Sequence, residues 1–406
     1  MENKRMAAAI LERISIALDD FSANTEYPGL LGGYSGAALF YAYYYQLTGN
    51  EAFLDKTYHI IQRSLEAISN LTLDGSHCSG LSGISWQLLH LAECGYIDQD
   101  DLDETFAEID MALAEFMEAD LNQQHIDFLH QGLGAALYFL KRLPDAHARR
   151  QLEKLVLGLH AQAHQLPQGI AWKDFFSTTA TSEDNKHRNL FNLGLAHGNP
   201  AIISILARIY EKGVARDMIA PMVTSAVNWL LSTRNKDRDP GHSLFPVLID
   251  EQDITAGDTN SRLGWCYGDL GIAVSLKDAG IRMQKPEWTA IAYEIFNNIA
   301  AHRNQENGIV YDACLCHGSA GIAVILQQAG IYNNNAALLE NADHWYQHTI
   351  HQSRWTDGAA GYKYYQHPDF QTSYNMLEGI SGIGLSLISF VNPDIRPGWA
   401  EAMLIM

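Results

Sequence analysis

Cys316-His317-Gly318-Ser319-Ala320-Gly321-Ile322-Ala323-Val324-Ile325-Leu326 is the stretch that decides the fold. A Gly-x-x-Gly element runs straight into a continuous apolar segment, the pattern of a buried helix that starts at a tight turn. Six other segments repeat it: Gly33-Tyr-Ser-Gly36, Gly80-Leu-Ser-Gly83, Gln131-Gly-Leu-Gly134, Gly198-Asn-Pro-Ala201, Gly268-Asp-Leu-Gly271 and Gly379-Ile-Ser-Gly382. The third lacks the first glycine and the fourth lacks the last. Successive first positions lie 47, 51, 67, 70, 50 and 61 residues apart, which leaves room for two helices and their loops in every interval.

The apolar runs predict inner helices over Ala37–Tyr44, Ile84–Leu91, Ala135–Leu140, Ile202–Ile209, Ile272–Leu276, Ile322–Leu326 and Ile383–Phe390. Intervening segments such as Asp103–Met117 and Arg149–His164 carry apolar residues at three- and four-residue steps, as amphipathic outer helices do. Seven inner helices, each preceded by an outer one, predict an all-α chain, an (α/α)7 toroid. No linker or low-complexity tract divides it, so residues 1–406 are expected to form one domain. Three polar loops lengthen the longest intervals: Gln168–Asn189, Lys236–Asn260 and Arg354–Ser373. Each precedes a glycine motif, and together they are expected to roof the central cavity in part.

The bulk numbers exclude several classes of function. A net charge of −20 lacks the basic footprint that nucleic acid requires and disfavours an anionic membrane surface. The segment Met1–Asp20 has no uninterrupted apolar core and does not read as a signal peptide, while Gly29–Tyr45 reads as a buried helix rather than a membrane span. Five cysteines are too few and too uneven for a disulfide framework. A reducing compartment, the cytoplasm, is expected, where cysteine serves more often as ligand or nucleophile.

The repeat register points to chemistry. One residue before each motif stand Gly32, Ser79, His130, His197, Tyr267, His317 and Glu378; two before stand Leu31, Cys78, Leu129, Ala196, Cys266, Cys316 and Leu377. Three of five cysteines and three histidines therefore share two adjacent columns. Cys266 and the Cys316-His317 pair belong to consecutive repeats, and together they make a three-ligand zinc set with a fourth position open, the pattern of a catalytic site. Two thiolates neutralise the ion and preserve the nucleophilicity of a thiolate bound there. Cys78 shares the column but lies several repeats away, and Cys314 and Cys94 read as packing residues. His197, in the register of His317, is a candidate general acid or base. Arg262, four residues before Cys266, is placed to stabilise a developing negative charge or to pair with a loop acid, and Asp127 to orient an imidazole.

These residues resemble the lanthionine synthetase C-like family, the lanthipeptide cyclases. The likeness rests on Leu195-Ala-His-Gly198, Gly264-Trp-Cys-Tyr-Gly268, Cys316-His-Gly318, Leu377-Glu-Gly-Ile-Ser-Gly382 and the glycine repeats, and covers essentially the whole chain. It implies zinc on Cys266, Cys316 and His317, with His197 as acid/base, Asp127 as its partner, and Arg262 and Tyr267 as polar groups of the active site. The implied reaction adds a precursor-peptide cysteine to dehydroalanine or dehydrobutyrine, forming a lanthionine or methyllanthionine thioether. No region is left over for dehydration, so the substrate is an already dehydrated peptide and a separate dehydratase is expected as partner. Two alternatives stay open: a relative that binds glutathione or adds it to dehydro residues, and a non-catalytic peptide-binding scaffold. A zinc-dependent prenyltransferase is a poorer match because its Asp-Cys-His ligand order is not evident.

Overall fold

The computed structural model describes residues 2–98, 103–175, 190–236, 239–251 and 260–406. Parts of the predicted loops Gln168–Asn189 and Lys236–Asn260, namely 176–189, 237–238 and 252–259, lie outside the described residues. Contacts divide the chain into two compact units, Met1–Glu104 with Ile309–Ala400, and Thr105–Gly308 with Glu401–Met406.

The first unit holds α1 (Glu2–Asn24), α2 (Ser35–Thr48), α3 (Glu51–Asn70) and α4 (Leu81–Glu93) from the early chain. Its later segment adds α12 (Ser319–Tyr332), α13 (Ala336–His351), the hairpin β5 (Tyr364–Gln366) and β6 (Asp369–Gln371), and α14 (Ile380–Val391). The second unit holds α5 (Asp103–Asn122), α6 (Ala135–Arg142), α7 (Ala146–Gln162), β1 (His164–Leu166) and β2 (Gly169–Ala171). It continues through β3 (Leu190–Asn192), α8 (Asn199–Glu211), α9 (Arg216–Ser232), β4 (Leu248–Asp250), α10 (Asp269–Arg282) and α11 (Pro286–His302). All seven predicted inner helices are present as the even-numbered ones, and each follows an odd-numbered helix with a polar outer face.

Burial explains this division of labour. Every residue of α14 from Ile380 to Phe390 is buried, whereas α3 buries only Thr57, Ile60, Ile61, Ser64 and Ala67. A helix apolar on all sides must be surrounded, and one with a single apolar stripe covers it. In the first unit α12 packs on α14, α14 on α2 and α2 on α4; in the second, α6 packs on α8 and α8 on α10. α14 also packs on α1, so the late helix completes the core begun by the early ones.

Three departures from the sequence reading concern the intervals. The predicted outer helix Arg149–His164 ends at Gln162, and His164 opens β1. The polar stretches contain short antiparallel ribbons: β1 pairs with β2, β3 with β4 and β5 with β6. Each strand is only three residues long, too short for a two-residue period to stand out against the helices. Finally, Cys94 is exposed at the C-terminal end of α4 and is not a packing residue. Among the described residues no helix is long and apolar enough to cross a membrane.

The motif glycines are there because two neighbours occupy the space of a side chain. A Cβ on Gly36 would stand 2.6 Å from Leu30 O, and one on Gly271 2.5 Å from Trp265 O. At Gly83, Gly321 and Gly382 the clash, with His77, Leu315 and Met376 carbonyls, would be closer still. In each case the carbonyl is six residues earlier, in the turn that leads into the helix. The adjacent repeat presses from the other side, with Met376 against Gly36, Leu30 against Gly83, Leu195 against Gly271 and Leu315 against Gly382. The register is also written in the backbone. Leu31 N donates to Cys78 O (2.9 Å), Leu377 N to Leu31 O (3.0 Å), Cys316 N to Leu377 O (3.0 Å) and Ala196 N to Cys266 O (3.3 Å). All eight ends of these bonds fall in one column of the repeat.

Replacing Gly36 by Ala is expected to lower the thermal midpoint with a loss of about 3 kcal/mol, because the clash is with backbone on one side and packed side chain on the other. Ala201→Gly, at the one motif whose last position carries a Cβ, should cost about 1 kcal/mol from helix propensity. Calorimetric scans that place both variants at the same midpoint would show that the turn does not require glycine.

Candidate functional site

The turns ahead of the inner helices carry the candidate residues. In six repeats the N–H of the first motif position donates to the carbonyl four residues back, as from Gln131 to Asp127, Gly198 to Gly194 and Gly318 to Cys314. At the remaining repeat Gly268 takes φ +93°, a conformation other residues rarely adopt. The Gly264-Trp-Cys-Tyr-Gly268 turn is thus shaped differently from its equivalents. Trp265 anchors it, its indole N–H donating to Met403 O at 2.7 Å within the second unit.

That unit brings together Asp127, His197, Cys266 and Tyr267. His197 Nδ1 donates to Asp127 Oδ2 at 2.6 Å, and His130 N–H donates to Asp127 Oδ1 at 2.7 Å. The Asp127 side chain is fully buried, and both its oxygens are committed to fixed donors. With Nδ1 holding the proton, Nε2 of His197 is the nitrogen left to face a substrate. The Tyr267 and His130 rings each stand 5.8 Å from that of His197, the His130 ring 13° from parallel with it. Gly194 makes the first contact possible, since a Cβ there would lie 2.7 Å from Tyr267 Cδ1.

Electrostatics set the protonation states. Burial pulls the His197 pKa down, but the Asp127 hydrogen bond and charge, with smaller help from Cys266 and Asp174, carry it above the ordinary histidine value. Burial pushes the Tyr267 hydroxyl up to about 12, so it stays a neutral hydrogen-bond donor near neutral pH. Arg262 is half-buried just upstream, and its side chain makes no hydrogen bond or ion pair among the described residues.

A cleft beside His197 is lined by Asp127, Trp172, Asp174, Asn192 and Asn199. Asn192 Nδ2 donates to Asp174 Oδ2 at 2.8 Å and reaches Tyr267 Oη at 3.4 Å. Asn199, the first residue of α8, ties Trp172 to Asn192 through its side-chain amide. Asp174 and Asn192 escape a reading by register because they lie in the interval ahead of the motif, not in its columns.

The first unit holds Cys316 and His317, on the turn into α12. His317 Nε2 lies 3.3 Å from Oδ2 of the buried Asp312. Asp312 also accepts Cys314 N–H at 2.9 Å and Tyr365 N–H at 2.8 Å. Burial raises its pKa, yet His317 and these N–H groups outweigh burial and hold the carboxyl below its usual range. Asp312, Cys314 and His317 place ligand atoms within 4.8 Å of one another. Burial and the Asp312 charge push the Cys314 thiol up to about 12, however, which makes it a poor thiolate. Asp312 was not legible in the sequence; its only signal is its place two residues before Cys314, where a carboxylate can cap a turn. Cys78 lies buried in the same unit, its carbonyl accepting from Leu31 and Gly32, and it joins no metal-binding group among the described residues.

With this geometry in view, the comparisons identify the class. The model of the family described as lanthionine synthetase C-like protein matches residues 27–404, and the chain belongs to that family. Fifteen solved chains match it. One, described as "Nisin cyclase", has a TM-score of 0.78 at 20% identity, covering 99% of this chain and 98% of its own. At that identity the likeness shows the fold, and the all-α class of repeated helix pairs is the one expected from the sequence. No curated protein matches the chain.

The raised His197 pKa can be measured. The folded-state value lies above the unfolded one, so the stabilisation is complete below about pH 6.5 and fades as pH rises through the folded-state pKa. In NMR titrations His197 should titrate above a free histidine, and Asp127→Asn should bring it below one, since burial then acts without the carboxylate. A His197 pKa unchanged by Asp127→Asn would remove the carboxylate as the cause.

Proposed function

We propose that the chain is a zinc-dependent lanthipeptide cyclase of the cytoplasm, with Cys266, Cys316 and His317 as ligands. The observation that carries the reading is the buried Asp127–His197 pair at 2.6 Å, near enough to Cys266 that the cysteine's charge helps raise the His197 pKa. A positioned acid beside a thiol ligand is what thioether formation needs. Family membership and the fold of a protein described as a nisin cyclase support it.

The donor chemistry fits zinc. Asp312 sits against His317 Nε2, the carboxylate–histidine arrangement that orients metal-bound imidazoles and leaves Nδ1 for the ion. Cys266 and Cys316 supply two thiolates, and three protein ligands leave one position open for a substrate thiol. When bound, zinc lowers the pKa of that thiol and holds it as the thiolate.

The chain's own groups do the rest. The thiolate sulfur attacks the β-carbon of a dehydroalanine or dehydrobutyrine, a C–S bond forms, and the π electrons move onto the carbonyl oxygen as an enolate. Tyr267, a neutral phenol, and Arg262, a cation without a competing partner among the described residues, are the groups suited to that negative charge. His197, protonated and oriented by Asp127, delivers a proton to the α-carbon through Nε2. The cysteine's own proton restores the imidazole, so the ring closes with no net change of atoms. The dehydro residue must be supplied by a dehydratase acting first.

Incubation with a dehydrated, cysteine-containing peptide is the test. Free thiol should disappear without a change of mass, about one zinc per chain should be found, and Cys316→Ser should lose both zinc and activity. His197→Ala should slow cyclisation by about 100-fold or more while keeping zinc. A mass gain when glutathione is present, with no ring closure, would identify an intermolecular thiol adder instead. A chain with intact ligands and no zinc would be a peptide-binding scaffold.

A further inference from the structure

We propose that Asp127, His130 and His197 form a second Zn2+ site, weaker than the cysteine-containing one, and that an ion bound there silences the enzyme. Ligand atoms of these three residues all lie within 4.8 Å of one another. The metal-binding part stands on this geometry alone; the silencing part rests on His197 being the acid of the proposed reaction.

Two imidazoles and a carboxylate are a common donor set for zinc with an open position. The carboxylate is already oriented, because His130 N–H fixes Asp127 Oδ1 and leaves Oδ2 facing His197 Nδ1. Near-parallel stacking holds the His130 ring beside that of His197. His130 is exposed, so the outermost donor of the group is open to solvent among the described residues. The ion takes the place of the proton between Nδ1 and Oδ2, and that proton leaves to solvent. The 2.6 Å contact then opens to about 3.3 Å, the separation of two ligands ~2.0 Å from a tetrahedral ion.

The set holds no thiolate, which ranks it below a site with two cysteines for a borderline-soft ion. The first zinc therefore fills the cysteine site, and the second fills this one only in excess. Once there, it takes the imidazole out of proton transfer. His130 has no part in the proposed reaction. Its backbone N–H donates to Asp127 Oδ1, a bond that a change of side chain keeps.

Titration of the metal-stripped full chain with Co2+, a spectroscopic stand-in for zinc, tests this. The first equivalent should bring thiolate-to-metal charge-transfer absorption in the near ultraviolet. The second should add visible ligand-field bands and no further charge transfer. His130→Asn should keep the first response and weaken the second by about tenfold or more. In Zn2+ titrations, activity on the dehydrated peptide should rise to one equivalent and fall with the second, while His130→Asn, whatever its own one-equivalent activity, should not fall with the second. Cys316→Ser should lose the charge-transfer band yet keep the second response. Wild type and His130→Asn binding equal numbers of ions with equal affinity would overturn the site. A wild-type chain that gives the visible bands but never the charge-transfer band would keep it and overturn the cysteine-site reading instead.

Discussion

A glycine pinned between its own turn and the turn of a neighbouring repeat is the contact on which the rest depends. The carbonyl six residues earlier lies where a Cβ would go, and a large side chain of the adjacent repeat closes the opposite side. Such a contact can be met only when two turns stand at one separation and one angle. Within each unit it fixes how neighbouring inner helices begin relative to each other and places equivalent backbone groups within hydrogen-bonding reach. Side chains on those turns inherit the precision. A functional residue needs no element of its own; it needs a position one or two residues ahead of a glycine.

Two of the three histidines at this position, His197 and His317, each lie against a buried carboxylate, but the carboxylates differ in origin. Asp127 sits on the preceding repeat's turn and reaches across to His197. Asp312 belongs to the same turn as His317 and is capped by local N–H groups and by the β5–β6 ribbon. The first arrangement couples the proton affinity of the imidazole to the packing of two repeats. The second fixes one nitrogen of an imidazole from within its own turn, which suits a ligand better than a proton donor. On the roles proposed for His197 and His317, one repeated scaffold supports two chemical uses of one side chain, set by where the acid comes from.

Much of this was legible in the sequence because glycine with a following apolar run is a backbone signal, independent of chemistry. The seven inner helices and the columns holding Cys266, Cys316, His197 and His317 follow from it. Asp127 stood in the sequence as an orienting acid, and the 2.6 Å contact gives it its partner. Asp174, Asn192 and Asp312 were not readable. They act from intervals and caps, where position relative to a motif carries no information and partners are chosen by tertiary approach. The strands were hidden for another reason: three residues are too few to show any period against the helices on either side. The third repeat was readable only in outline, since its inner helix is eight residues long and opens with a single 3₁₀ turn at Gly132–Gly134.

The indole of Trp265 rests on the carbonyl of Met403, a partner 138 positions later. A chain emerging from the ribosome makes the Cys266 turn long before it makes the residue that braces it. Helices α5 to α11 can pack as they appear, but the turn bearing the candidate thiol gains its brace only when synthesis passes residue 400. In the same way α1 and α2 wait for α14 to cover them. Partly made chains should therefore be incomplete at the site even where their helices have formed. Competence then arrives late and nearly all at once.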